Sequence, residues 1–135
     1  MIRPIVRNSI WGLALFICQF SATASQPIYT AKFELFFSKD PSCQLIDFKS
    51  GKPIEQGKGN LAVNKSEITW TASCLLRLPK TISYCVISSQ EVTNFDAFVS
   101  LQTHYHKKVL RSKIISDSDI NPDFGEYKVH YLCFE

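Results

Sequence analysis

The stretch YTAKFELFF, residues 29–37, decides the fold class of this chain. Its aromatic and aliphatic side chains fall at every second position, with threonine, lysine and glutamate between them. An alternation of period two is typical of a β-strand that buries one face and turns the other to solvent. Phe36 breaks the alternation, which indicates that part of the second face is also covered.

Further strand signals follow at short intervals, each rich in β-branched or aromatic residues. They cover residues 44–48, 66–77, 81–89, a stretch ending near 106, 109–116 and 127–134. Short strands separated by turn residues predict an all-β fold, a small disulfide-stapled antiparallel β-sandwich or barrel. Residues 94–96 leave room for one short helical turn. Residues 49–60 hold three glycines and a proline among polar residues and predict the clearest loop.

The first 24 residues have the features of a cleaved signal peptide. Two arginines precede an apolar stretch at residues 10–18, and the small residues 22–24 form a cleavage site. The apolar stretch is shorter than the about 20 residues of a membrane-spanning helix, so we expect cleavage and no transmembrane anchor. Residues 25–135 then form a single β domain, periplasmic or secreted. Loss of the two arginines lowers the formal net charge from +3 to +1, which argues against nucleic-acid binding.

The four cysteines after the signal predict two disulfides. They are Cys43, Cys74, Cys85 and Cys133. An even cysteine count in a small exported domain is typical of a disulfide framework. A zinc site is the alternative, but no Cys-x-x-Cys pair is present to supply two ligands from one turn. Cys18 leaves with the signal unless it is a lipid-attachment residue, and bulky Ile17 before it disfavours that alternative.

A hairpin predicted around Pro79 and Lys80 indicates how the cysteines pair. If these two residues form the turn between segments 66–77 and 81–89, Cys74 and Cys85 lie directly opposite each other. Their bridge would leave Cys43 to pair with Cys133. Proline cannot adopt the positive φ that tight hairpin turns favour, so the two other pairings remain open.

Three histidines are the candidate metal ligands: His104, His106 and His130. His104 and His106 lie two positions apart, so on a strand both would face the same side. With His130 they could bind zinc or copper, or serve acid–base catalysis in a small secreted hydrolase. The neighbouring lysines oppose cation binding, and the chain has no catalytic sequence motif. An enzyme is therefore the alternative hypothesis, and we expect no cofactor.

The stretch 107–113 carries four cations: Lys107, Lys108, Arg111 and Lys113. One interpretation is that lysines on an exposed sheet edge protect it against aggregation. The other is a positive patch that meets an acidic partner or a membrane surface. Phe36 and Phe134 lie on the polar faces of their strands and would add apolar contact area if they were exposed.

These observations favour a non-enzymatic binding module. The leading hypothesis is an exported inhibitor, immunity protein or toxin-delivery protein that recognises another protein at the cell envelope or outside the cell. A sheet edge or the loop at residues 49–60 would make the contact. The hypothesis rests on a stapled scaffold, a modest net charge and the lack of a catalytic motif.

Overall fold

The computed structural model describes residues 25–66, 69–93, 100–106, 108–117 and 125–135, and the side chains of residues 100–104 and 117 lie outside the description. Within these ranges the chain forms nine β-strands and no helix. The strands are β1 (Tyr29–Phe36), β2 (Ser42–Asp47), β3 (Pro53–Gln56), β4 (Lys58–Asn64), β5 (Thr69–Arg77), β6 (Tyr84–Thr93), β7 (Ser100–His106), β8 (Val109–Asp117) and β9 (Glu126–Phe134). The expected signal at residues 1–24 and the helical turn at 94–96 lie outside the described residues.

The described strands form two antiparallel sheets. One sheet has five strands in the order β3-β2-β1-β9-β6, and the other has four in the order β4-β5-β8-β7. Every strand pairs with its neighbours in the antiparallel sense. The predicted all-β, disulfide-stapled antiparallel sandwich is confirmed.

The hydrophobic core lies between the two sheets. Strands β1 and β9 alternate between buried and more exposed positions; apolar side chains point inward, and most of the outward side chains are polar, with Leu132 and Phe134 of β9 as apolar exceptions. Phe33 and Val129 from the five-stranded sheet are fully buried, as are Leu76 and Ile114 from the four-stranded sheet. Burying apolar side chains from both inner faces is the main force that holds the sheets together.

The interpretation of residues 49–60 as a loop is wrong, because β3 and β4 lie there. A short turn joins β2 to β3, with the Gly51 amide donating to the Asp47 carbonyl at 2.9 Å. Gly57 then takes the chain from one sheet to the other. A side chain at Gly57 would collide with the Cys43 sulfur, and one at Gly59 with the Pro41 carbonyl. These glycines permit close packing between strands, which sequence alone does not distinguish from loop flexibility.

The hairpin predicted around Pro79 is also wrong. β5 belongs to the four-stranded sheet and β6 to the five-stranded sheet, so residues 78–83 cross between sheets. Leu78 and Ile82 are buried on either side of the proline. The Leu78 amide donates to the Lys108 carbonyl at 2.8 Å, and the Ser83 amide donates to the Phe134 carbonyl at 2.8 Å. The segment therefore anchors to both sheets instead of turning back on itself.

The four cysteines form two disulfides, but the predicted pairing is wrong. Cys43 bonds Cys74 and joins β2 to β5 across the core. Cys85 bonds Cys133 and joins β6 to β9 within one sheet, where the two residues are direct partners in register. The prediction failed because it depended on the hairpin at Pro79, which would have placed Cys74 beside Cys85.

Candidate functional site

The three histidines lie on two different sheets. His104 and His106 are on β7 of the four-stranded sheet, and His130 is on β9 of the five-stranded sheet. His106 is exposed and follows Tyr105, which packs against the core. His130 is half-buried and lies between the buried residues Val129 and Tyr131. Because both histidines alternate with inward side chains, they point to opposite sides of the sandwich, so the structure does not bring them together.

His130 borders a shallow depression of about 390 Å³ on the outer face of the five-stranded sheet. Lys32, Glu34, Glu91 and Lys128 line the same depression. Within the described part of the chain, no group of three or more histidine, cysteine, aspartate or glutamate side chains is placed to hold a metal ion.

The charges on this outer face pair with each other along single strands. The Lys32 ammonium lies 3.0 Å from a Glu34 carboxylate oxygen on β1, and that of Lys128 lies 2.9 Å from Glu126 on β9. The hydrogen bond to Glu126 raises the pKa of Lys128 above its ordinary value, with a further contribution from nearby Glu91. Both lysines on the polar half of this face therefore have a carboxylate partner on their own strand.

The other half of the same face is apolar. It forms a surface that we call the apolar patch, made of Tyr84, Val86, Leu132 and Phe134. The Tyr84 and Phe134 rings stack with their centroids 5.0 Å apart. Val86 lies opposite Leu132, two residues along from the Tyr84–Phe134 pair and on the same outer face. Tyr84 and Val86 are exposed, whereas Leu132 and Phe134 are half-buried.

The two phenylalanines predicted as contact residues have different environments. Phe36 is buried, with the Lys39 ammonium 4.2 Å from its ring centroid. Phe134 remains partly accessible within the apolar patch. Sequence reasoning missed Tyr84 and Val86, although residues 84–90 carry no charge, which is unusual for an exposed strand.

The four cations of the predicted basic stretch do not act as one cluster. Lys108 occupies the turn between β7 and β8 with a positive φ of 64°. Its ammonium donates to the carbonyl of Ile82, so this lysine helps to hold the crossing segment. Arg111 and Lys113 alternate with buried residues of β8 and point outward from the four-stranded sheet. Lys107 lies outside the described residues.

Two further cations join Arg111 and Lys113 on this outer face. Lys58 on β4 pairs with Leu75, and Leu75 pairs with Arg111 on its other side. Arg77, at the end of β5, pairs with Val109. We call Lys58, Arg77, Arg111 and Lys113 the cationic face. Sequence reasoning missed Lys58 and Arg77 because only the sheet register brings them near residues of β8.

No helix among the described residues is long and apolar enough to cross a membrane. No protein-family model, curated protein or solved structure matches the chain.

Proposed function

We propose that this protein is an exported, non-enzymatic binding module that engages another protein through β6 and the apolar patch. The supporting observation is the exposure of β6. This strand is ten residues long and, among the described strands, pairs with β9 alone. Tyr84, Val86 and Ile87 have relative accessibilities of 47%, 46% and 49%.

An edge strand presents backbone N–H and C=O groups that a strand from another chain can pair with. Backbone hydrogen bonds would supply affinity, and side chains on the apolar patch would supply specificity. Aromatic residues such as Tyr84 and Phe134 are enriched at protein interfaces because they combine a large apolar area with few rotatable bonds. We expect the partner to contribute an extended segment with apolar side chains.

The other edge of the same sheet carries protection that β6 lacks. β3 has only four residues and begins with Pro53, which cannot donate a backbone hydrogen bond. β6 has a single charged residue, Glu91, near its end. A bulge between Ile87 and Ser89 interrupts its register, so a partner strand would pair with residues 84–87. This contrast favours β6 over β3 as the edge used for binding.

The disulfides support the exported part of the proposal. Two disulfides are typical of an oxidising compartment, because cytosolic thiols are kept reduced. An extracellular or periplasmic location agrees with the signal predicted at residues 1–24.

Site-specific photo-crosslinking in the exporting cell tests the proposal. A photoreactive residue replaces Val86 in one protein and Val63 in a second; Val63 lies on the edge strand β4 and has a comparable accessibility of 48%. We expect a discrete crosslinked species with a different protein at position 86, absent at position 63 and lost when Tyr84→Glu is added. Equal products at both positions, no product at position 86, or products containing only second copies of this chain would overturn the proposal.

A further inference from the structure

We infer that the cationic face binds an acidic surface of a protein, one rich in aspartate and glutamate carboxylates. This site lies on the four-stranded sheet, away from β6 and the apolar patch. The inference does not depend on the proposed function, because it uses different residues and a different sheet.

Protection of a sheet edge does not explain Arg111 and Lys113. Both lie on β8, which has β5 on one side and β7 on the other. Lysines that prevent aggregation are found on edge strands, where backbone groups are unpaired. Cations on an interior strand protect no edge, so their place on the face calls for another explanation.

No acidic residue lies opposite Arg111 or Lys113 in the described strand register. Arg111 has Leu75 and His104 as its partners, and Lys113 has Ser73 and Gln102. Asp117 is the single acidic position in the described strands of this sheet, and it lies at the far end of β8 opposite Thr69. On the five-stranded sheet, by contrast, Lys32 and Lys128 each bind a glutamate on their own strand. Among the described residues, Lys32 and Lys128 thus have acidic partners, whereas no acidic residue lies opposite Arg111 or Lys113 in the strand register.

The spacing of the cations suits several separate anionic groups. Residues two apart on a strand are about 7 Å apart, and residues two strands apart are about 10 Å apart. Arg111 and Lys113 have the first relation, and Lys58 and Arg111 have the second across Leu75. The four cations are spread over three strands, an arrangement that a row of carboxylates contacts more fully than one small anion.

The composition of the face favours an acidic protein over an anionic membrane. Proteins that bind membrane surfaces usually add tryptophan, tyrosine or phenylalanine to their cations. The outward positions of β5 and β8 near the cations carry threonine, serine, leucine, valine and isoleucine, with no aromatic residue. A charged, hydrogen-bonding sheet face of this kind complements a polar protein surface.

Binding of poly-L-glutamate, a carboxylate-rich polypeptide, tests the inference. The protein is purified with both disulfides intact and titrated at salt concentrations of about 0.05 M and about 0.15 M. We expect binding that weakens with salt, and a loss of about tenfold or more in Arg111→Glu/Lys113→Glu. The milder Arg111→Gln/Lys113→Gln variant should also bind poly-L-glutamate more weakly. It controls for the case in which the charge-reversal variant misfolds.

The control is Lys49→Glu/Lys52→Glu, which makes the same change in net charge at exposed lysines of the β2–β3 turn. We expect its affinity to stay within about twofold of the parent protein, because these lysines lie outside the cationic face. Equal losses in the control and in the β8 variants would overturn the inference, as would no binding at the lower salt concentration. Tighter binding to phosphatidylglycerol vesicles than to poly-L-glutamate would also overturn it, in favour of a membrane surface.

Discussion

Ser112 and Tyr131 join the two sheets through a hydrogen bond of 2.8 Å between their side-chain oxygens. Ser112 lies on β8 with no solvent exposure, and Tyr131 lies on β9 with 2% exposure. The Tyr131 ring also packs edge-on against Phe33, with centroids 5.5 Å apart. A buried polar pair is costly unless both members are satisfied, so this contact constrains how the two sheets align.

Removing either hydroxyl should destabilise the fold because its partner loses a buried hydrogen bond. We expect Tyr131→Phe and Ser112→Ala each to lower the free energy of unfolding by about 1–3 kcal/mol. The double variant should lose less unfolding free energy than the two single variants together, because it removes both hydroxyls and leaves neither one buried without the other. Urea denaturation of the four proteins measures this coupling, and strictly additive losses would show that the bond does not link the sheets.

The two disulfides should stabilise different parts of the molecule. Each should contribute about 2–4 kcal/mol, mainly by restricting the unfolded chain. Cys43–Cys74 joins the sheets, whereas Cys85–Cys133 ties the edge strand β6 to its one described neighbour. Replacing Cys85 and Cys133 with alanine should therefore accelerate hydrogen exchange most in β6.

Replacing Cys43 and Cys74 with alanine is the matched control, and it should accelerate exchange in both sheets. Hydrogen exchange followed by mass spectrometry separates these patterns. If β6 were equally protected in the two double variants, its attachment would not depend on the bridge to β9.

The glycines of the β2–β4 region should differ in their tolerance of a side chain. Gly59→Ala places a methyl group against the Pro41 carbonyl and should cost at least about 2 kcal/mol. Gly51 has open space around it but a φ of 70°, so Gly51→Ala should cost about 1 kcal/mol. Gly51→Asn should recover part of that loss, because asparagine tolerates positive φ.

Thermal or urea unfolding ranks these three variants. A Gly59→Ala protein as stable as the parent would contradict the close approach of β4 to Pro41.

These glycines also show where sequence reasoning succeeds and where it fails. The alternation in β1 and β9 was sufficient to predict half-buried strands, because a period of two has a direct physical cause in the pleat. Gly57 and Gly59 indicated a loop, yet they lie in or beside strands that pack too closely for a Cβ atom. The sequence shows that a position is glycine, but it does not show the neighbouring atoms that leave no room for a side chain there.

The pairing of distant segments was the other failure. The turn residues Pro79 and Lys80 favour a hairpin in the sequence. In the structure Leu78 and Ile82 are buried, and the segment between them connects one sheet to the other. Both the disulfide pairing and the membership of the cationic face depend on this long-range arrangement. Lys58 and Arg111 are brought near each other only by the strand order β4-β5-β8, which no local pattern encodes.

The turn between β2 and β3 should weaken in acid. The Ser50 amide donates to the Asp47 carboxylate at 2.8 Å, and this hydrogen bond lowers the pKa of Asp47 from its ordinary 3.8. A carboxyl with a lowered folded pKa stabilises the fold above its unfolded value and loses that effect as pH falls through the folded value. The turn should therefore be unchanged from neutral pH to about 3.8 and loosen below it.

The Ser50 amide chemical shift, followed by NMR as pH is lowered, reports this change directly. Asp47→Asn keeps an acceptor oxygen but does not titrate, so its Ser50 shift should stay constant over the same range. A midpoint above 3.8 in the parent protein would contradict the assigned hydrogen bond.

The strand order underlies both proposed binding surfaces, and disulfide mapping tests it most directly. The four cysteines fall in separate tryptic peptides, because lysine or arginine residues lie between them. Digestion of the unreduced protein followed by mass spectrometry should yield the peptide of Cys43 linked to that of Cys74, and the peptide of Cys85 linked to that of Cys133. A link between Cys74 and Cys85, or four free thiols, would contradict the arrangement of β2, β5, β6 and β9 described above.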